Sequence, residues 1–191
     1  MQFCSGVLGV FMKKYSGVLL LLAFLSGTSH AEIEKLVEPC EQKICFHWWP
    51  KLPAVEGWHH DREFSLKYSY NAQAPDGSTF ENAETVIYAK ALYKPSFPDL
   101  KTLEMVVDND RQKFLASAPD TEVKEAAALT TLDGKSLKSF MFHSARQGSW
   151  DRVSYGEEGN FYLIFTLSSG SVAGYQKAVA AYEQFIERYK E

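Results

Sequence analysis

The residues that could do chemistry are concentrated in one short stretch, residues 40–61, which reads CEQKICFHWWPKLPAVEGWHHD. Within it, the constellation that could do chemistry consists of the imidazole, indole and carboxylate side chains of His47, Trp48, Trp49, Trp58, His59, His60 and Asp61. Neutral imidazoles together with a carboxylate suit Zn²⁺ or Cu²⁺, whereas exposed indoles can stack on a sugar or on a side chain of a partner. The stretch therefore raises two hypotheses, a metal site and a binding surface.

The spacing of these residues favours the binding surface. Adjacent side chains on extended backbone point to opposite faces, so His59 and His60 rarely bind one ion together. None of the established zinc-ligand spacings is present. We therefore expect Trp48, Trp49, Trp58, His59 and His60 to contribute to binding, and we assign no catalytic residue, metal or cofactor. The alternative is that the indoles pack the segment onto a sheet while the histidines lie on the surface.

Two cysteines, Cys40 and Cys45, lie in the same stretch, and the third is Cys4. An even pair in an exported protein is typical of a structural disulfide. Their C-x4-C spacing differs from the C-x-x-C spacing of thioredoxin-like redox sites. The sequence predicts a Cys40–Cys45 disulfide that closes a small loop.

The N-terminal residues 1–31 have the features of a signal peptide. Lys13 and Lys14 precede an apolar run at residues 18–25, and a Ser-His-Ala triplet ends at Ala31. This order predicts export with cleavage after Ala31. The apolar run is too short to span a membrane, and Met12 is an alternative start of translation. We expect a periplasmic or secreted mature chain without a membrane span.

The charge of the mature chain disfavours two classes of partner. Its 160 residues suffice for one domain with a real core. Loss of the two lysines leaves 18 basic against 24 acidic residues, a net charge of −6. Charges of both signs are scattered, whereas nucleic acids and anionic membrane surfaces require clustered Lys and Arg. A protein partner in the cell envelope is compatible with this pattern.

Other residues offer weaker signals of catalysis. His143 could act as a base only with a carboxylate such as Asp151 or Glu125 beside it, and an ordinary strand histidine is the simpler interpretation. The glycine-rich residues 170–174 lack the Lys-Ser/Thr of a phosphate-binding loop, so they indicate a strand-to-helix turn. The sequence contains no recognised nucleophile motif. It leaves the question of an enzyme open and favours a binding role.

Hydrophobic periodicity predicts the elements that position these residues. Residues 64–70 alternate as a half-buried strand, residues 71–82 contain a turn, and residues 84–93 form a second strand. Asp99 is predicted to cap a helix that ends near Ser117.

The second half of the chain is predicted to be a meander followed by a helix. Strands at residues 122–132 and 135–145 flank an Asp-Gly turn. A hairpin follows at residues 150–167, and its second strand is apolar on both faces, which indicates a central, doubly covered strand. Ser169 or Ser171 caps a final amphipathic helix that ends near Tyr189.

This order of elements defines an α+β fold, a mainly antiparallel sheet of about six strands flanked by two helices. The chain divides into a signal peptide (1–31), a disulfide-tied extended segment (32–63) and the sandwich domain (64–191).

The element order resembles the Mog1/PsbP-like sandwich over residues 64–191. A GWHHD block at residues 57–61, a PDGSTF turn at 75–80 and an AETV segment at 83–86 are similar to those of small exported bacterial proteins without an assigned activity. The resemblance implies accessory work, docking to larger complexes rather than catalysis. It carries over no functional residue.

The leading hypothesis is thus a non-enzymatic exported accessory or binding protein. One alternative is a small metal-binding protein or hydrolase that uses the His/Asp cluster of residues 47–61. Another is a carrier of a small apolar ligand inside the sandwich.

Overall fold

The computed structural model describes residues 33–40 and 43–190, without the side chains of Glu38, Cys40 and Lys43. The predicted signal peptide lies outside the described residues. The strands are β1 Ile33–Cys40, β2 Lys43–Pro50, β3 Trp58–His60, β4 Asn71–Pro75, β5 Thr85–Tyr93, β6 Glu122–Thr130, β7 Ser136–Ser144, β8 Ser149–Glu158 and β9 Phe161–Ser169. The helices are α1 Arg62–Tyr68, α2 Leu103–Ser117 and α3 Val172–Glu187, with a 3₁₀ turn at Lys94–Ser96.

Seven strands form one antiparallel sheet in the order β3-β4-β5-β9-β8-β7-β6. The hairpin β1–β2 forms a separate two-stranded sheet. The predicted α+β class with a mainly antiparallel sheet is confirmed, with seven main strands where about six were expected and a third helix.

The central position of β9 is confirmed. It lies between β5 and β8, and apolar side chains alternate along it into two separate cores. Leu163, Phe165 and Leu167 pack in the core that α3 covers, whereas Tyr162 and Ile164 pack in the core that α2 covers. A strand that is buried on both faces has to be apolar on both, which explains its composition.

The two long helices cover opposite faces of the sheet. In α3 the N-cap is Ser171, whose hydroxyl accepts from the N–H of Gly174 at 3.0 Å, in agreement with the prediction. In α2 the predicted cap Asp99 is wrong, because the Thr102 hydroxyl accepts from the N–H of Met105 at 3.3 Å and the helix starts at Leu103.

The strand predicted at residues 64–70 is wrong, since α1 occupies most of this segment. The Asp61 carboxylate caps the helix by accepting from the N–H of Phe64 at 3.0 Å. Ser69 ends it with a left-handed φ of 63°. Phe64 and Tyr68 stack four residues apart, with centroids at 4.2 Å, so the alternating aromatics fit a helical face as well as a strand.

The segment predicted as a turn at residues 71–82 begins with a strand, β4. The extended segment predicted at residues 32–63 contains the strands β1, β2 and β3. Asn71 and Gln73 are buried in β4, where Gln73 Nε2 donates to Asn71 Oδ1 and Asn71 Nδ2 donates to the carbonyl of Pro50 at 3.0 Å. Because these side chains satisfy one another, a strand with polar buried residues is stable here. Within the described residues no helix is long and apolar enough to cross a membrane.

Candidate functional site

The β1–β2 hairpin carries an apolar stripe along one of its faces. The register pairs Lys35 with Trp48, Val37 with Phe46 and Pro39 with Ile44, and directly paired residues share a face. The face therefore consists of Ile33, Lys35, Val37, Pro39, Ile44, Phe46, Trp48 and Pro50.

The inner end of this stripe packs against the main sheet. The ring centroid of Trp48 lies 5.1 Å from that of Tyr93 and 6.0 Å from that of Phe161. Trp48 is half-buried and belongs to the rim of the core under α3. These contacts fix one end of the hairpin to the sheet.

The outer end of the stripe is exposed. Val37, Ile44 and Phe46 are 58%, 63% and 47% exposed, and we name these three residues the hairpin patch. Lys35 Nζ lies 4.4 Å from the Phe46 ring centroid and adds a charge at the edge of the patch. Three large apolar side chains on one face are thus open to solvent.

Trp49 lies on the other face of the hairpin and is fully buried. Its Nε1–H donates to the Glu34 carboxylate at 3.2 Å, and Glu34 lies 3.7 Å from the Arg62 guanidinium. The Trp49 indole is therefore inaccessible to a partner, and it holds the hairpin against the start of α1.

The three other predicted binding residues lie on β3. Trp58 is half-buried, with its ring edge against Phe185 at 6.2 Å between centroids. His59 is exposed, and its Nδ1 lies 3.5 Å from the Asp76 carboxylate. The ring Nε2 of His60 lies 2.9 Å from the Ser65 hydroxyl.

Local hydrogen bonds and burial set the protonation behaviour of His60 and Asp61. Burial lowers the pKa of His60, and the nearby Arg62 lowers it further. For Asp61, partial burial opposes ionisation, but the N–H groups of Phe80 and Phe64 donate to the carboxylate and lower its pKa overall. Both side chains bond to α1, His60 to the Ser65 hydroxyl and Asp61 to the N–H of Phe64, and so connect β3 to the helix.

The described residues include no group of three or more His, Cys, Asp or Glu side chains placed to hold a metal ion. His47 lies in β2 opposite Leu36, in the two-stranded sheet, whereas His59 and His60 lie on β3 of the seven-stranded sheet.

His143 contacts a backbone carbonyl and an indole ring. Its Nδ1 lies 2.8 Å from the carbonyl of Ser149, and its ring stacks on Trp150 at 3.9 Å. Its cross-strand partners are Glu122 and Trp150. The two carboxylates suggested as its partners pair elsewhere, Asp151 with Phe142 and Glu125 with Phe140.

The backbone register brings the two cysteine positions close together. Cys40 pairs with Lys43, and Cys45 follows two residues later on the same strand. The side chain of Cys40 lies outside the described part of the structure, so the disulfide stays a prediction.

A groove of 710 Å³ lies between the first turns of α3 on one side and the β4–β5 connection with the start of β3 on the other. The residues that determine its chemistry are Glu56, Trp58, Asp76, Glu84, Gly174 and Lys177. Sequence reasoning identified only Trp58 among them, because the others come together from four separate segments. No local pattern in the sequence marks such a groove.

Two solved structures are similar to the chain at low sequence identity. PA94 from Pseudomonas aeruginosa, a protein of unknown function, shares 11% identity over 82% of this chain and 96% of its own length, with a TM-score of 0.48. The cyanobacterial PsbP of Synechocystis sp. PCC 6803 shares 13% identity over 86% of this chain and 95% of its own, with a TM-score of 0.40. No family model and no curated protein matches the chain.

Proposed function

We propose that the chain is a non-enzymatic, exported accessory protein that docks to a protein of the cell envelope through the hairpin patch. The observation that carries the proposal is the exposure of Val37, Ile44 and Phe46 on one face of a hairpin whose inner end is packed. A contiguous exposed apolar patch is typical of an interaction site, whereas scattered apolar residues are not.

The energetics of the patch suit a docking contact. Fully burying a Val, Ile or Phe side chain stabilises a complex by about 1.5–3 kcal/mol. Interfaces place such aromatic and aliphatic anchors at the centre. The Lys35 ammonium lies over the Phe46 ring, 4.4 Å from its centroid, and adds a positive charge to the contact surface. A folded, packed base also reduces the ordering cost on binding.

Export is supported by the leader-like residues 1–31 and by the cysteine pair. If cleavage occurs after Ala31, the intact mass of the native protein, measured by mass spectrometry, should match a chain that begins at Glu32. A cell fractionation that finds the protein in the cytoplasm with its N-terminus intact would contradict this part of the proposal.

Site-specific photo-crosslinking tests the docking surface. Benzoylphenylalanine at position 46 should give a discrete adduct with one envelope protein in living cells. The same probe at Leu132, which is 65% exposed in the β6–β7 connection, provides the matched control and should give none. Equal adducts from both positions, or none from position 46, would refute the proposed surface.

A variant with Val37→Thr, Ile44→Thr and Phe46→Thr tests the same surface by loss of binding. Threonine keeps the β-branched preference for strands while it removes apolar area. We expect affinity for the crosslinked partner to fall by at least tenfold, equivalent to a loss of about 1.4 kcal/mol. Leu132→Thr should leave the affinity unchanged.

A further inference from the structure

The 710 Å³ groove lies at the opposite end of β5 from the packed base of the hairpin. Thr85, at the start of β5, lines the groove, whereas Trp48 of the hairpin packs on Tyr93, the last residue of the strand. A ligand in the groove would therefore not compete with a partner on the hairpin patch.

The walls of the groove carry an excess of negative charge. Glu56, Asp76 and Glu84 line it, and Lys177 provides the single opposing charge among its lining residues. Glu84 Oε2 lies next to Gly174 in the first turn of α3, where a carboxylate is favoured by the helix dipole. Glu56 and Asp76 belong to the opposite wall, together with Trp58.

One wall of the groove is aromatic. Trp58 lines it, and its indole makes an edge-to-face contact with Phe185, with ring centroids 6.2 Å apart. A tryptophan ring attracts cations through its negative face, and it also covers methylene groups. Carboxylates beside an anchored indole are the arrangement that recognises a cation on an apolar stem.

The size of the groove favours a small molecule. Its volume lies within the range of about 300–1,000 Å³ that is usual for small-molecule sites. Gly57 and Gly77 line it, and a Cβ added to either would meet no atom within 4 Å, so this side of the groove is open.

We propose that this groove binds a small organic cation, an amine or guanidinium on a short aliphatic chain. Glu56 and Asp76 attract the cationic group, and Trp58 covers the aliphatic part. The chain would then combine a docking hairpin with a separate ligand site.

Titrations followed by ¹H–¹⁵N correlation spectra test the proposal on labelled protein purified after export. Agmatine and cadaverine are the cationic probes, while pentanol and pentanoate are the neutral and anionic controls of similar length. We expect saturable shifts from both cations at the amides of Gly57, Gly77 and Gly174. The glycines outside the groove, Gly134, Gly148 and Gly159, serve as internal references.

Charge-removing variants give the second arm of the test. Glu56→Gln combined with Asp76→Asn should weaken agmatine binding by about tenfold, because both changes keep shape and remove charge. Glu125→Gln on the exposed part of β6 is the matched control and should bind like the native protein.

Three outcomes would overturn the proposal. The first is the absence of saturable shifts with both cations, and the second is an equal response to pentanol. The third is tighter binding of N-acetyl-lysine methylamide than of agmatine, which would assign the groove to a lysine side chain of a protein. None of these outcomes bears on crosslinking through the hairpin patch.

Discussion

Arg152 Nη1 donates to Glu183 Oε1 at 2.7 Å and thereby ties β8 to α3 across the core. The same guanidinium donates through Nη2 to the carbonyl of Ala127 at 3.0 Å, where the register of β6 shifts between Ala126 and Leu129. One side chain thus fixes both the covering helix and the irregular edge strand.

Arg152 and Glu183 differ in burial, so mutating one or the other should change the free energy of unfolding by different amounts. The Arg152 side chain is 7% exposed and that of Glu183 is 38% exposed. Glu183→Leu leaves a buried guanidinium without its counter-charge and should lower the free energy of unfolding by about 2–3 kcal/mol.

The double variant Arg152→Met with Glu183→Leu should be more stable than Glu183→Leu alone, because the buried charge is gone. Urea denaturation of the native protein, both single variants and the double variant measures this order. A double variant that is less stable than Glu183→Leu would show that the contact to Ala127 outweighs the charge effect.

Asp151 and Asp120 should respond to pH with opposite signs. Burial raises the pKa of Asp151 above 3.8, although the hydroxyls of Ser168 and Ser149 oppose the shift. The folded state then binds a proton more tightly than the unfolded state, so stability is lost as pH rises from 3.8 through the folded pKa. Asp151→Asn has no carboxyl to ionise, so it should become more stable relative to the native protein as the pH rises from acid to neutral.

Asp120 provides the matched comparison. The N–H of Arg146 donates to its carboxylate at 2.9 Å, the largest cause of its lowered pKa, and the Ser144 hydroxyl donates as well. Its stabilisation is present above 3.8 and is lost as pH falls through the folded pKa. Asp120→Asn should therefore lose stability at neutral pH and converge with the native protein in acid. Thermal unfolding midpoints measured across this pH range test both variants. A change in midpoint of the same sign for both, relative to the native protein, would contradict the assignment.

Gly174 makes a close contact that a side chain would disrupt. A Cβ there would lie 2.4 Å from Thr85 Oγ1 and 2.6 Å from Ser169 Oγ, two buried hydroxyls that bond to each other at 2.7 Å. Gly174→Ala should destabilise the protein by about 1–3 kcal/mol, although alanine ordinarily favours a helix by ~1 kcal/mol.

Gly170→Ala is the control for this prediction. At Gly170 the nearest atom to an added Cβ is the carbonyl of Glu84 at 3.8 Å, an ordinary contact. We expect its melting temperature to stay within the error of the native value. Similar melting temperatures for both alanine variants would mean that the Thr85–Ser169 pair moves aside freely.

The sequence predicted the central hairpin and the C-terminal helix because their patterns are long and agree with the packing. Residues 161–167 are apolar on both faces, and β9 is buried on both faces. The alternation at residues 64–70 was misleading because seven residues fit a strand and two turns of helix alike. Asp61 caps the helix through the nearby N–H of Phe64, a local signal, and its carboxylate also accepts from the distant N–H of Phe80 at 2.9 Å. A contact over nineteen positions leaves no local signal.

The candidate sites show the same limit. The sequence singled out the indoles of the 40–61 stretch, but it could not separate the buried Trp49 from the half-buried Trp48 and Trp58. Their environments depend on how the hairpin is placed against the sheet. The groove escaped notice for a related reason, since Asp76 and Lys177 line the same groove only because α3 packs on the sheet.

The Cys40–Cys45 disulfide can be tested chemically. Thiol titration of the exported protein, unfolded without a reducing agent, should find no free thiol. Closing so short a loop stabilises the folded state by about 2 kcal/mol in the chain-entropy model. Cys40→Ser with Cys45→Ser should therefore lower the free energy of unfolding by about this amount, and dithiothreitol should destabilise the native protein but leave the variant unchanged. Because the cysteines flank the turn of the hairpin that carries Ile44 and Phe46, the variant should also crosslink less efficiently through position 46. Two free thiols per chain would refute the disulfide.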